Sequence, residues 1–329
     1  MIIIISQAEG EHSTVFVMDW LHYRQASFRR INGSDAIQHF SYHISNTGES
    51  ELDAFGEYLQ DTTKTPNVIW YRRWMGRNVA LRDGLRLGGD DNFINVFNFI
   101  RQERNTLRQH FMSQFKPIHR LGNPDKDALN KLDVLTAAGK AGLTVPRSIV
   151  TADREVLQNF CNTTGPVIVK SLKDPAMLSY QGDNFVSYTA VLNSEDISTL
   201  PSKFFPSLVQ EQIDKTFEIR IFYLDGQCYA MAIFSQSNTQ TQVDFRKYDK
   251  KHPNRNVPYT LPPEIISSLH TLMQSLDLNC GSVDMIKSPE GKYYFLEINP
   301  VGQFGMVSFP CNYFLEEKIA DWLIEKDHP

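Results

Sequence analysis

The chain lacks the features that mark several common classes of protein. Its four cysteines are widely separated and form no C-x-x-C pair, which favours reduced thiols in a cytoplasmic protein over a zinc site or a disulfide framework. No stretch approaches the roughly 20 apolar residues that a membrane-spanning helix needs. The run Met1 to Ile5 has no basic flank and is too short for a signal peptide, so we expect a buried first strand. The net charge of −5 provides no basic field for nucleic acid.

Familiar catalytic signatures are missing as well. The sequence contains no G-x-x-x-x-G-K-[ST] loop and no G-x-G-x-x-G after a strand, and neither H-E-x-x-H nor G-x-S-x-G occurs. Any phosphate chemistry must therefore rest on side-chain cations and a metal ion, because no glycine-rich phosphate loop is present.

The sequence predicts a mixed α/β chain that is long enough for two or three domains. We predict an N-terminal α/β domain over residues 1–123, a central subdomain over 124–204 and a C-terminal subdomain over 205–329. Helices are predicted over these ranges: 12–23, 51–59, 90–115, 130–141, 194–200, 262–275 and 313–325. Strands are predicted over these: 2–5, 68–71, 165–170, 208–213, 217–224 and 227–235. Arg72 and Arg73 directly follow a strand, where open α/β sheets often bind ligands, although plain surface charge fits equally well.

Two further strands near the C-terminal end are predicted to form a hairpin. They cover residues 281–286 and 294–300 and flank the turn sequence Ser-Pro-Glu-Gly at 288–291. If Lys287 pairs with Lys292 across this turn, Asp284 lies on the same face as Glu297 and Asn299.

This hairpin carries a set of oxygen ligands. Glu297 and Asn299 are two residues apart, so a strand places them on one face, while Leu296 and Ile298 are expected to face an apolar layer. The expected register adds Asp284 to the polar face. Two carboxylates and an amide oxygen suit Mg²⁺ held together with substrate phosphates, although an ordinary hairpin with its acids in water fits the same pattern.

A second hairpin lies around Asp225-Gly226, which is a strong two-residue turn signal. On its first arm Glu218 and Arg220 share the face opposite a row of apolar residues. This face could line a binding cleft, or the two side chains could form a cross-strand ion pair, which contributes little if it is exposed.

Taken in order along the chain, these motifs resemble the ATP-grasp superfamily. The matching residues are Asn130-Lys131 at a helix start, Val167-Ile168-Val169-Lys170, Gln210-Glu211-Gln212-Ile213, Glu218-Ile219-Arg220, Val283-Asp284 and Glu297-Ile298-Asn299-Pro300. The resemblance implies an α/β (α+β) ATP-grasp fold, in which two αβ subdomains close on ATP after an N-terminal pre-ATP-grasp domain.

The resemblance also implies a role for each matched residue. Lys131 and Lys170 would bind the phosphates of the nucleotide. The hinge that binds adenine would be formed by Gln210, Glu211, Gln212 and Ile213, and Glu218 would bind the ribose. The metal ligands of two Mg²⁺ ions would be Asp284, Glu297 and Asn299, with Glu297 bridging the ions. Arg220 and Arg246 would act as catalytic cations. Without the resemblance, a solvated helix lysine at Lys131 and a flexible basic loop around Arg246 fit as well.

A closer resemblance covers nearly the whole chain. Met18-Asp19-Trp20-Leu21, with Arg30-Ile31-Asn32, and Trp70-Tyr71-Arg72-Arg73 resemble the N-terminal domain of the ATP-grasp ligases that crosslink ribosomal precursor peptides, as in microviridin (graspetide) maturation. The ending from Glu297 to Ser308 is most similar to the grasp-with-spasm branch. This implies an ADP-forming carboxylate–amine or carboxylate–alcohol ligase. Such an enzyme activates Asp or Glu side chains of the peptide as acyl phosphates. It then joins them to Thr or Ser hydroxyls or to Lys amines, closing ester or amide rings.

The implied partner is a precursor peptide with a leader and an acidic, Thr-rich core. We expect the leader near the Asp225-Gly226 hairpin and the helix over 262–275, and the core near the basic run 246–255. A SPASM-domain partner protein and a homodimer are further implications of the family. His252 lies in the right loop for a general base, but a lone loop histidine usually faces solvent. Two other functions stay open: a ligase that adds free amino acids, of the glutamate-tailing type, and a non-catalytic ATP-binding scaffold.

Overall fold

A computed structural model describes residues 1–38, 40–54, 66–74, 92–115, 119–173, 177–180, 183–186, 189–236 and 254–328. The helices are α1 (His12–Tyr23), α2 (Gly33–Gln38), α3 (Asn92–Gln114), α4 (Lys131–Lys140), α5 (Arg154–Thr164), α6 (Ser194–Thr199), α7 (Pro263–Ser275), α8 (Gly305–Cys311) and α9 (Leu315–Asp327). The strands are β1 (Ile2–Ser6), β2 (Phe28–Asn32), β3 (Phe40–Ile44), β4 (Ser50–Ala54), β5 (Val68–Tyr71), β6 (His119–Leu121), β7 (Ser148–Asp153), β8 (Val167–Lys170), β9 (Met177–Tyr180), β10 (Asp183–Val186), β11 (Ala190–Leu192), β12 (Lys203–Glu211), β13 (Phe217–Leu224), β14 (Gln227–Phe234), β15 (Arg255–Tyr259), β16 (Cys280–Lys287) and β17 (Tyr293–Asn299). No helix among these residues is long and apolar enough to cross a bilayer.

The first compact unit comprises Met1–Asp127 and Phe314–Pro329. Its parallel sheet has the strand order β2-β1-β5-β6. β1 lies between two neighbours and is buried along its whole length, as its four consecutive isoleucines predict, because a central parallel strand needs apolar residues on both faces. The closing helix α9 packs against α1, β1 and β5 of this unit.

The predicted helix over 51–59 is wrong where the structure describes it. Residues 51–54 belong to β4, which pairs with β3 in an antiparallel hairpin. The turn between them closes through a hydrogen bond from the Ser45 amide to the Glu49 carbonyl, and Gly48 adopts a φ of 82°, which favours glycine. Pairing with β3 therefore overrides the local helical preference. Residues 55–59 lie outside the described part of the chain.

The second compact unit, Ala128–Tyr313, contains two larger sheets. The four-stranded sheet has the order β11-β8-β12-β7, and α5 and α6 cover one of its faces around Leu157, Val167, Ile197 and Val209. The five-stranded sheet has the order β15-β14-β13-β16-β17. Helices α4 and α7 supply the core on one face of that second sheet. Residues on the opposite faces of these two sheets line a cleft.

Candidate active site

An open cleft is lined by residues from both sheets of the second unit. Nine of the residues predicted for nucleotide, metal and catalytic roles line it together: Lys170, Gln210, Glu211, Gln212, Ile213, Glu218, Arg220, Asp284 and Glu297. Lys131 lies next to the cleft through its contact with Glu297, and Asn299 sits at the end of β17. Arg246 and His252 fall outside the described residues.

The geometry of β13 explains why two charged side chains enter this cleft. Phe217, Ile219, Ile221 and Tyr223 alternate into the core of the unit, as predicted. Because strand side chains alternate between faces, Glu218 and Arg220 then face the cleft.

Arg220 pairs with Asp284, which lies directly opposite on β16. One terminal nitrogen of Arg220 donates to both carboxylate oxygens, at 2.6 and 2.7 Å. Both side chains are only 11% exposed, so this is a largely desolvated ion pair. The sequence predicts a place in the cleft for each residue but not this partnership, since it does not give the register between β13 and β16.

The hairpin register differs from the prediction, although Asp284 and Glu297 do meet. Lys287 pairs with Tyr293 and not with Lys292, so the predicted pairing is wrong. The register then shifts by one residue between Asp284 and Met285, which brings Asp284 opposite Glu297. Such a β-bulge places two residues on one strand against one on the other.

The same bulge changes where the apolar side chains of β17 point. Ile298 and Phe295 join the core, whereas Leu296 lines the cleft beside Glu297. The expectation that Leu296 faces an apolar layer is therefore wrong, because the extra residue breaks the strict alternation along the strand.

Lys170 enters from the four-stranded sheet, and Lys131 enters from α4, which packs on the five-stranded sheet. Asn130 caps α4 by accepting from the Leu132 amide, so Lys131 is the first residue of the helix. Its amine donates to the Ser171 carbonyl at 3.0 Å and lies 3.6 Å from a carboxylate oxygen of Glu297. Lys170 ends β8 and lines the cleft.

The predicted adenine hinge covers the last two residues of β12, Gln210 and Glu211, and the two residues that follow the strand. The Gln210 side chain donates to the Ser148 hydroxyl at 2.9 Å, and the Glu211 carboxylate accepts from the Arg147 amide at 3.2 Å. The Gln212 amide donates to the Pro166 carbonyl. These bonds fix the hinge backbone before any ligand binds.

Apolar side chains beside this hinge form walls suited to a planar base. Ile168 comes from the four-stranded sheet, while Ile233 and Ile286 come from the five-stranded sheet, and all three line the cleft. Sequence reasoning did not assign them, because buried isoleucines in strands carry no signal that separates a ligand wall from an ordinary core.

Lys215 is a functional candidate that sequence reasoning missed. It lines the cleft at 6% exposure and forms an ion pair with Glu218, whose other oxygen accepts from the Ser235 hydroxyl at 3.1 Å. Burial raises the pKa of Glu218, and Lys215 and Ser235 oppose that shift. The only sequence signal for Lys215 is its position three residues before Glu218, within the irregular segment that leads into β13.

Asn299 occupies a turn at the exit of β17. Its side-chain oxygen accepts from the Val301 amide at 3.1 Å, and the Gly302 amide donates to its backbone carbonyl. A side chain on Gly302 would come within 2.5 Å of Ser282, so a glycine is required for the loop to lie on β16. The Asn299 oxygen keeps a second lone pair that could face a ligand.

The donor set suits a metal ion that shares its coordination with phosphates. Asp284 and Glu297 face each other across two strands, and hard carboxylate oxygens are the ligands that Mg²⁺ prefers. Within the described ranges, no cluster of three Asp, Glu, His or Cys side chains could hold a metal by itself. The two carboxylates therefore suit a Mg²⁺ ion that takes its remaining ligands from substrate oxygens and water.

Solved structures define the class of fold. No protein-family model and no curated protein sequence matches the chain. A RiPP-associated ATP-grasp ligase from Chryseobacterium gregarium, in complex with ADP and a leader and core peptide, superposes with a TM-score of 0.78 at 24% identity, over 99% of this chain and 96% of that one. The fold is thus that of the ATP-grasp ligases, as the sequence predicts.

More particular likenesses point to the peptide-modifying ligases. The macrocyclase MdnC from Microcystis aeruginosa MRC, bound with precursor peptide MdnA, matches at 25% identity with a TM-score of 0.78, over 98% of this chain and 99% of that one. The ATP-grasp ligase PsnB, complexed with a phosphomimetic variant of a minimal precursor, Mg and ADP, matches at 17% identity and 0.72, over 99% and 98%. The predicted resemblance to peptide-crosslinking ATP-grasp ligases is confirmed.

Proposed function

We propose that the chain is an ATP-dependent ligase that crosslinks side chains of a ribosomal precursor peptide. One observation carries the proposal: a fold shared along its whole length with peptide-bound ATP-grasp ligases contains a cleft in which predicted phosphate, adenine, ribose and metal residues converge. The proposed reaction is ADP-forming, with ATP and Mg²⁺ as its requirements.

Nucleotide binding follows from the lining of the cleft. The hinge from Gln210 to Ile213 would receive the adenine edge, and Glu218 would accept hydrogen bonds from ribose hydroxyls. Lys131 and Lys170 would neutralise phosphate oxygens. Each assignment is supported by the position of the side chain in or beside the cleft.

Metal binding would involve Asp284, Glu297 and Asn299. When two Mg²⁺ ions are bound, they neutralise the charge on the β- and γ-phosphates and orient them. Asp284 and Glu297 supply the carboxylate oxygens from adjacent strands. The Asn299 side chain, held by the Val301 amide, would complete the set from the strand end.

The proposed reaction has two steps. A carboxylate oxygen of an Asp or Glu side chain in the peptide attacks the γ-phosphorus of ATP, forming an acyl phosphate and releasing ADP. A Thr or Ser hydroxyl, or a Lys amine, then attacks the acyl carbon, loses its proton and expels inorganic phosphate. Arg220 and Arg246 would stabilise the charge that develops on the oxygens in these steps.

The partners follow from this reaction. The substrate is a peptide with a leader and an acidic, Thr-rich core, and we place the leader near the hairpin turn at Asp225-Gly226 and α7. A SPASM-domain partner and a homodimer belong to the proposal through family resemblance. A cytoplasmic location fits ATP use and the free cysteines.

Incubation of the protein with ATP, Mg²⁺ and a Thr/Glu-rich precursor peptide tests the function. Ring closure removes the mass of one water from the peptide for each crosslink and releases one ADP. A tailing ligase would instead add the mass of an amino acid to the peptide, and that result would replace our proposal. Unchanged peptide mass without ADP release would support a non-catalytic scaffold.

A further inference from the structure

The Glu218 carboxylate is held on both of its oxygens before any ligand binds. The Lys215 amine donates to one oxygen, and the Ser235 hydroxyl donates to the other at 3.1 Å. The side chains of Lys215 and Glu218 are 6% and 9% exposed, and Ser235 is fully buried. Because hydrogen bonds to a charged group are strong in such a desolvated site, the protein sets the direction of this carboxylate.

The segment that carries Lys215 is anchored as well. It connects the end of the predicted adenine hinge at Ile213 to the start of β13. The Thr216 amide, directly after Lys215, donates to the Lys287 carbonyl at 2.8 Å, which ties this connection to the end of β16. The lysine amine therefore reaches Glu218 from a fixed point of the backbone.

Glu218 lies where the sugar of a nucleotide would fall. Its neighbours across the sheet are Ile233 on β14 and Ile286 on β16, which both line the cleft as walls for a planar base. The pair of Arg220 and Asp284 lies two residues further along β13, which is about 7 Å. From the hinge through Glu218 to Arg220, the chain thus follows the order of base, sugar and phosphate.

The free acceptor sites of Glu218 match the two hydroxyls of a ribose. A carboxylate offers about four lone-pair sites on its two oxygens. Lys215 and Ser235 each occupy one site, on different oxygens, so roughly one site remains on each. Burial raises the pKa of Glu218 and the charge of Asp284 adds to that rise, whereas Lys215 and Ser235 lower it. Lys215 therefore also favours the ionised carboxylate, which is the stronger acceptor.

We propose that Lys215, with Ser235 in support, is a positioning residue that fixes Glu218 as the reader of the ribose hydroxyls and makes the cleft select ribonucleotides over 2′-deoxyribonucleotides. A site built to bond a hydroxyl rejects an analogue that lacks it, because a buried polar group is then left without that partner. The proposal rests on the nucleotide site of the proposed function. It adds to that site a residue that contacts Glu218 and sets sugar selectivity.

Calorimetric titration with ADP and with 2′-deoxy-ADP, in the presence of Mg²⁺, tests the proposal without turnover. We expect the wild type to bind ADP at least about tenfold more tightly than 2′-deoxy-ADP. In Lys215→Met this preference should fall to about threefold or less, because ADP binds more weakly while the affinity for 2′-deoxy-ADP stays within about twofold. Thermal unfolding verifies that the variant is folded at the temperature of the titration.

A second lysine–carboxylate pair provides the matched control. Lys203 pairs with Asp153 in the same unit, but the lysine is 74% exposed. Lys203→Met should therefore keep the wild-type affinities for both nucleotides.

Other variants keep the test decisive if Lys215→Met folds poorly. Lys215→Met/Glu218→Gln leaves no unpaired charge in the site, and it should show the same low preference for ADP. Lys215→Arg retains the cation and should keep a preference closer to that of the wild type. Ser235→Ala removes a neutral donor and should lower the preference by a smaller factor than Lys215→Met does.

Two results would overturn the proposal. One is an unchanged preference for ADP over 2′-deoxy-ADP in Lys215→Met or in the double variant. The other is an equal loss of affinity for both nucleotides in Lys215→Met, since this would assign Lys215 to the phosphates and not to Glu218.

The outcomes separate this inference from the function proposed for the cleft. If the positioning role is wrong and the ligase function is right, rings close normally and Lys215→Met keeps the wild-type sugar preference. If the ligase function is wrong and the positioning role is right, the sugar preference falls in Lys215→Met, while the precursor peptide keeps its mass in the presence of ATP and Mg²⁺. A wild type that binds neither nucleotide would overturn both.

Discussion

Removal of Arg220 should destabilise the second unit and make its stability depend on Mg²⁺. Arg220→Met leaves the Asp284 carboxylate in a site that is 11% exposed and opposite a second acid, Glu297. Breaking one side of a buried ion pair costs about 3–5 kcal/mol, because the remaining charge is desolvated without compensation. For a unit of this size, a loss of roughly 3 kcal/mol lowers the melting temperature by about 6–12 °C.

Thermal unfolding without nucleotide, with and without Mg²⁺, measures this effect. In the variant, Mg²⁺ should restore much of the loss, since a cation between the two carboxylates replaces the missing guanidinium. In the wild type, Arg220 already neutralises Asp284, so the gain from Mg²⁺ should be smaller. The double variant Arg220→Met/Asp284→Asn should regain stability without Mg²⁺, because no unpaired charge remains.

An exposed ion pair provides the matched control. Lys203 contacts Asp153 at 2.5 Å, but the lysine is 74% exposed, so Lys203→Met should change the free energy of unfolding by at most about 1 kcal/mol. The reasoning is refuted if Arg220→Met melts within about a degree of Lys203→Met, or if Mg²⁺ stabilises the wild type and Arg220→Met equally.

Three further predictions concern neighbouring residues. Lys215→Met should cost about 3 kcal/mol at neutral pH. Because burial holds the pKa of Glu218 above its ordinary value, that loss should shrink as the pH falls and the carboxyl takes up a proton, as denaturant titrations at several pH values would show. Gly302→Ala should lower stability by about 1–3 kcal/mol through its contact with Ser282, and the added change Ser282→Gly should restore the melting temperature. Glu297→Ala should abolish ADP release with the peptide while the free energy of unfolding changes by only about 1 kcal/mol, because this side chain is 29% exposed; retained turnover would contradict its metal role.

The parts of the site that could be predicted from the sequence are those that depend on the period of one strand. Alternation along β13 is sufficient to send Glu218 and Arg220 to the face opposite Ile219 and Ile221, and the structure confirms it. The four isoleucines of β1 similarly predict a strand that is buried on both faces. In each case a local pattern determines the environment of the side chain.

The parts that could not be predicted depend on how separate segments pair. An inserted residue in β17 leaves no mark in the composition of the strand, so the bulge that turns Leu296 into the cleft is invisible to a rule of strict alternation. The strand at 51–54 exists because β3 pairs with it. The partner of Asp284 likewise depends on the register between β13 and β16, which no single segment contains.

The pairing of separate segments also determines which carboxylates in the cleft are neutralised before a ligand binds. Three of the acids that line it already have a cation: Asp284 has Arg220, Glu297 has Lys131, and Glu218 has Lys215. The desolvation of these carboxylates is therefore compensated before a nucleotide arrives, which keeps the site folded and oriented. A divalent ion that binds between Asp284 and Glu297 would compete with Arg220 and Lys131 for the same oxygens. These two cations, once displaced, are the ones placed to meet the phosphates that accompany the ion, so metal and nucleotide should bind more tightly together than either does alone.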